Sequence, residues 1–285
     1  MANFRFFSKP RTLSEPSRHA RRAFQSTGAP TLSGFVLILT LLFLFFPLLV
    51  VIFYSFNAGK SMSFTGFSLR WYHDLIFKSR PLWIALWNSF VIALVSAAVS
   101  TVIGTLAAVG INWYKFYGKT FIKVISFLPM VLPEVIIGIS TVIFFARLRI
   151  PLGMFTIAAA HITFCLPFVY LMVRARIDEF DFSIVEAARD LGATERQAML
   201  KVVLPAIFPG VISGFMMAVT MSLEDFVITF FVKGPGSTTL PLYIYQMIRT
   251  GVSPVVNALS CVLIAATVLI AFSLRKFLKA FAAAK

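Results

Sequence analysis

Charged side chains are scarce in this sequence. They make up 13% of 285 residues, where a soluble domain carries about a quarter. With 59% hydrophobic residues and a mean hydropathy of +0.89, the shortage excludes an ordinary soluble domain. Acids are the scarcer sign, 11 against 26 Lys and Arg, for a net charge of +15. Such an excess could suit nucleic acid, but the basic residues cluster at the ends of apolar segments, as membrane proteins place them. Cysteine is nearly absent too. Cys165 and Cys261 both fall inside apolar runs, which argues against a disulfide framework or a metal site and for packing as small hydrophobes. The three histidines, His19, His73 and His161, lie in separate regions with no nucleophile–base constellation, so nothing points to an enzyme. His161 reads as a hydrogen-bonded membrane histidine. No G-x-x-x-x-G-K-[ST] phosphate loop occurs, and Gly234-Pro235-Gly236-Ser237 lacks the lysine that would make one. No cofactor is expected.

What the chain has in abundance is apolar length. A bilayer core needs about 20 residues of helix. Runs of that size recur six times, at 32–56, 81–114, 124–146, 150–173, 202–232 and 250–274. The second is long enough to tilt or to project beyond the membrane. The third is interrupted only by Glu134, the fifth by Glu224 and Asp225. With the N-terminus inside, cytoplasmic segments hold 18 Lys and Arg and exterior segments 8, which places both termini in the cytoplasm. The expected organisation is a basic cytoplasmic tail (1–31), a six-span membrane domain (32–275) and a short cytoplasmic tail (276–285). The first apolar run and its basic leader are both too long for a cleaved signal peptide. The leader is expected to lie disordered against anionic lipid headgroups. Trp71, Tyr72 and Trp83, on or beside the first exterior segment, suit interfacial anchoring or contact with an external partner. No internal repeat is visible.

The polar island at 183–205 stands out in such a chain. Ser183-x-x-Glu186 has the spacing of a capping box, and Ile184, Ala187, Ala188 and Leu191 follow as one apolar stripe. Gly192 supplies the left-handed residue that ends a helix. Thr194-x-x-Gln197 opens a second short helix expected to reach Leu204, with the chain turning at Pro205 into the fifth span. Helices this short are marginal alone and need a partner surface. The small Ala187 and Ala188 would admit a close approach, rimmed by Glu186, Arg189 and Asp190. A hairpin packed only on its own membrane domain is the alternative. A DNA-binding helix-turn-helix is disfavoured by five basic against six acidic side chains in the loop and by a membrane tether at each end.

Glu134, Glu224 and Asp225 are the acids embedded in the spans. A carboxylate at the bilayer centre costs about 2.5–3.5 kcal/mol on insertion scales, so it faces a cavity or a partner. Pro129 and Pro133 predict a kinked or interrupted helix beside Glu134. On a continuous helix Glu224 and Asp225 would point about 100° apart, one to a pathway and the other across helices. Their depths bring all three within reach of one cavity, which favours cationic cargo. An internal salt bridge is the alternative, but the spans hold no obvious Lys or Arg partner.

Glu186-Ala187-Ala188, Gly192 and Leu204-Pro205 resemble the EAA motif of permease subunits in binding-protein-dependent ABC importers, with Val202 where that family usually has Ile. The resemblance implies an all-α, six-span inner-membrane protein with the type I ABC importer permease (MetI-like) fold. In that family this loop docks in a cleft of the ATP-binding subunit and transmits its closure. A longer likeness carries R-W-Y at 70–72, H-I-T-F-C-L-P-F-V at 161–169, S-L-E-D at 222–225, G-P-G-S-T-T-L-P at 234–241 and G-V-S-P-x-x-N-A-L at 251–259. Together these resemble polyamine (spermidine/putrescine) permeases of the C/I type. The likeness implies a second permease subunit, two ATP-binding subunits and a periplasmic substrate-binding protein as partners, in a bacterial inner membrane. Related permeases tend to have Asp at Glu134 and Glu224, and an acid where this chain has Val255. Other cargo stays open: a cationic amino-acid-like compound, an opine or ferric ion. So does a carrier or channel acting without ATP.

Overall fold

The computed structural model describes residues 30–60, 63–251 and 254–283. Every regular element among them is helical, apart from one isolated bridge between Asn57 and Phe67. The expected tail therefore lies outside the described residues up to position 29. The first span, α1 (Pro30–Ser55), is apolar all round and almost wholly exposed. A helix without a polar face needs lipid or protein on every side. It rests against the last helix, α12 (Pro254–Ala283), which begins four residues later than the apolar run.

Between them in sequence, α2 (Arg70–Lys78) is a short helix. Its Trp71 is not an interfacial anchor. The ring is buried with Leu75, Leu82, Val255, Ala258 and Leu259, and its indole N–H donates to the Asn57 carbonyl at 2.7 Å. Tertiary packing has taken over a side chain whose composition suited a membrane boundary. Trp83 likewise donates to the Leu75 carbonyl at 2.8 Å. On the exposed side of α2, Asp74 accepts from Lys78 at 2.9 Å, which holds its carboxyl below the usual range.

The centre of the molecule is a three-helix wedge of α3 (Arg80–Trp113), α6 (Met154–Asp178) and α9 (Leu204–Glu224). α3 is one unbroken helix of 34 residues. Without water, close backbone packing and interhelical hydrogen bonds hold membrane helices together. Val169 of α6 is the clearest instance. A side chain on Gly104 of α3 would meet it at 2.8 Å, and one on Gly214 of α9 at 3.2 Å. Small residues on both neighbours let one valine wedge between them. Ser96 adds a cross-helix bond to the Ala158 carbonyl at 3.2 Å.

The third span is broken, as its prolines predict. α4 (Lys119–Val131) and α5 (Glu134–Arg147) meet at a 110° bend across Leu132 and Pro133. The fifth span is broken too, against expectation. α9 stops at Glu224, Asp225 is extended, and α10 (Val227–Val232) follows. Among the described residues five helices are long and apolar enough to cross a membrane, and the bent pair makes six when it is counted as one span.

The loop before α11 (Leu240–Thr250) is pinned to α3. Asn88 donates to the Thr238 carbonyl at 3.1 Å, and Ser89 accepts from the Leu240 N–H at 2.8 Å. Gly234 in this loop sits against the Leu152 backbone, where an added Cβ would overlap a carbonyl group that cannot swing aside. Gly234→Ala is therefore expected to cost about 1–3 kcal/mol, as overpacking does. A thermal unfolding midpoint equal to the wild type would show that the two loops do not meet.

Candidate functional site

Two places concentrate polar chemistry: the break in the fifth span and the hairpin at 183–205. At the break, Asp225 occupies the gap between α9 and α10. One oxygen accepts from the Ile228 N–H at 3.2 Å, the other from the Thr229 N–H and hydroxyl, each at 2.8 Å. The carboxylate thus caps α10, whose first donors would otherwise have no partner in a bilayer. The same oxygen lies 3.0 Å from His161 Nε2, and His161 Nδ1 lies 2.7 Å from the Ser222 hydroxyl. A carboxylate only accepts, so Nε2 carries the hydrogen toward Asp225. His161 is fully buried and Asp225 nearly so.

The 100° argument for neighbouring helical acids therefore does not apply, because Asp225 has left the helix. His161 is the hydrogen-bonded membrane histidine that the sequence suggested, but sequence reasoning sought a Lys or Arg for the acids and did not name it as the partner of Asp225. Glu134 and Glu224 are both exposed, Glu134 as the first residue of α5 and Glu224 as the last of α9. α5 packs against α10, with Phe231 over Gly138, which brings the start of α5 and Glu134 to the side of the break. Two chain breaks meet there. Irregular backbone at membrane depth is tolerated where it is buried in protein or lines a cavity. Val255 is buried in the same cluster as Trp71.

The hairpin is two short helices, α7 (Ser183–Asp190) and α8 (Glu195–Ala198). The first expected capping box is absent. Ser183 is already helical, and its N–H donates to Asp181 Oδ1 at 2.9 Å, so the cap comes from two residues earlier. That bond holds the Asp181 carboxyl below its ordinary range. A depressed carboxylate stabilises above its unfolded pKa, so this cap is lost as pH falls through the lowered value. At the other end Gly192 has φ +87, Ala193 N–H donates to the Ala188 carbonyl and Gly192 N–H to that of Arg189. This is the Schellman closure expected of glycine there. Thr194 and Gln197 form the second box as expected.

Beyond it the chain does not turn at Pro205. α8 widens into a π-turn, Met199–Val203, which runs straight into α9. Leu204 N–H reaches five residues back to Met199. The wider turn removes the carbonyl clash that proline causes in a regular α-turn. Hairpin and fifth span are one rod. Ala198 and Val203 are buried at its root, and Val185 anchors α7 to the core. Ile184, Ala187 and Leu191 are exposed, with Leu191 at 89%. The apolar stripe faces away from its own membrane domain.

Residues 100–283 match the family described as binding-protein-dependent transport system inner membrane component. The chain belongs to that family. It is a multi-pass permease of the inner-membrane type. It is also 40% identical over 223 residues to the spermidine/putrescine transport system permease protein PotC of Escherichia coli, across 78% of this chain and 84% of the relative. Identity to the putrescine transport system permease protein PotI of the same organism is 38% over 245 residues, 83% and 87% of the two chains. In fold the permease is similar to a bacterial ABC transporter involved in import of the acidic polysaccharide alginate. There the TM-score is 0.65 at 14% identity, covering 93% of this chain and 98% of the other. The MetNI methionine ABC transporter gives a TM-score of 0.57 at 21% identity, covering 71% and 98%. The six-span architecture is thus that of type I ABC importer permeases.

Proposed function

We propose that this permease forms half of the pathway of an ATP-driven polyamine importer and couples that pathway to ATP-binding subunits through the hairpin at 183–205. The observation that carries the cargo class is the meeting of Glu134, Glu224 and Asp225 at two adjacent chain breaks. The two exposed carboxyls, with no Lys or Arg ion-paired to them among the described residues, offer a polycation what its hydration shell gives up. The curated relatives named for spermidine and putrescine support the same class. Within the site, Glu134 and Glu224 face the cargo, while Asp225 holds α10 and His161.

Coupling rests on Glu186, Ala187, Ala188 and Gly192, which present the docking face, and on Leu204 and Pro205, where the docked rod enters the membrane. The partners are a second, similar permease subunit, two ATP-binding subunits and a periplasmic substrate-binding protein. Hydrolysis takes place on the ATP-binding subunits, and both termini lie in the cytoplasm. Cargo is released by the binding protein onto the pinned exterior loop at 233–239. Nucleotide-driven closure then pulls the hairpin and opens the pathway inward.

The decisive experiment reconstitutes the four kinds of subunit in proteoliposomes and follows radiolabelled spermidine and putrescine. ATP-dependent uptake that requires the binding protein is the expected result. Uptake by this chain alone, without an ATP-binding subunit, would overturn the proposal.

A further inference from the structure

The hairpin touches the rest of the molecule at a place that the coupling motif does not include. Trp113, the last residue of α3, donates its indole N–H to Glu195 Oε1 at 2.8 Å. The same oxygen lies 3.0 Å from Arg189 Nη2. The Arg189 guanidinium sits over the Trp113 ring at 5.9 Å from its centroid, and Phe182 meets that ring at 5.9 Å from the other side of the hairpin. One aromatic side chain therefore gathers both arms: Phe182 and Arg189 at the two ends of α7, and Glu195 at the start of α8. Beside it an open groove of about 370 Å³ runs between Asn112, Lys115, Val185 and Glu186.

The balance of energies argues against a clamp built for stability. Arg189 and Glu195 are each about half exposed, and exposed ion pairs contribute little to folding. The hairpin is held without it, by buried Val185, Ala198 and Val203. What the clamp adds is direction. α8 is already continuous with α9 through the π-turn, so displacement of the hairpin reaches the fifth span along the helix itself. No covalent route of that kind leads to α3, whose nearest chain connection to the hairpin passes through three other helices. A rigid ring seated between the two arms supplies that link.

We infer that Trp113 and Glu195 are positioning residues that carry hairpin movement into α3, so that the second and fifth spans move together on each nucleotide cycle. This rests on the proposed coupling role of the hairpin. Side chains are chosen to separate transmission from folding. Trp113→Phe keeps an aromatic ring but removes the indole N–H; Glu195→Gln keeps an acceptor but removes the charge that draws Arg189. Both are assayed in the complete complex in proteoliposomes, with ATP hydrolysis and cargo import measured on the same vesicles.

Hydrolysis stimulated by the loaded binding protein is expected to stay within about twofold of the wild type. Cargo imported per ATP should fall about tenfold in each variant, the scale set by loss of a charge-assisted bond. The double variant should be no worse than the poorer single one, because both changes break one unit. Import and hydrolysis falling in proportion would make the clamp merely structural and overturn the inference. Import and hydrolysis both at the wild-type level in the two variants, beside a coupled wild type, would overturn the clamp alone. A wild-type complex with no stimulated hydrolysis would overturn the permease coupling and the clamp together.

Discussion

Asp225→Ala is expected to leave little folded permease in the membrane. The side chain satisfies two backbone N–H groups of α10 and a threonine hydroxyl, and it partners a fully buried histidine. Water cannot replace those partners in a dry interior, and removing one half of a buried pair costs about 3–5 kcal/mol. Hydrogen bonds between membrane helices often contribute less, about 0.6 kcal/mol on average, because the unfolded chain finds other partners. Here the larger figure applies, since α10 begins inside the break and its donors have no earlier turn to bond. His161→Phe removes one partner and leaves the helix cap intact, so its loss should be intermediate. Asp225→Asn keeps an oxygen for the N–H groups and should be the mildest. Detergent-solubilised protein, heated and then passed over a sizing column, ranks the three. A full monodisperse yield for Asp225→Ala at the wild-type temperature would remove the break from among the determinants of this fold.

The six spans were legible because each is a long apolar run, and length alone answers to bilayer thickness. The break at Pro133 was legible because proline carries its own local cause. The break at Asp225 was not, since no proline or glycine marks it. It exists because a buried acid, a histidine 64 residues away and the first N–H groups of α10 satisfy one another. Such a bargain among distant residues leaves no periodic trace. At the hairpin, Gly192 and Thr194 behaved as their types demand, whereas Ser183 lost its capping role to Asp181, two residues away. Capping spacing tolerates that shift, and only packing decides it. Pro205 misled for a related reason. A proline near the start of a helix reads as a corner, but a π-turn accommodates it without one. Trp71 suited the interface by composition and entered the core because its N–H found the Asn57 carbonyl.

Removing both exposed carboxylates, with Glu134→Gln and Glu224→Gln together, is expected to abolish polyamine uptake while leaving the protein folded. Each amide keeps shape and hydrogen-bonding capacity and discards only charge, and both positions are exposed at helix ends rather than locked in a network. A hydrogen bond to a charged group contributes about 1.5–3 kcal/mol, so each change should lower uptake by about ten- to a hundredfold. Together they should take it to background. Because both glutamates lie beside the break, the two effects need not add. Neutralising one glutamate relieves repulsion on the other, and the second change should then cost the more. The comparison with Asp225→Asn separates pathway from scaffold. The glutamine variants should retain the wild-type unfolding midpoint and lose transport, while Asp225→Asn should lower the midpoint first. Spermidine import at the wild-type rate by the double glutamine variant would remove the carboxylate pathway, and with it the strongest physical ground for a cationic cargo.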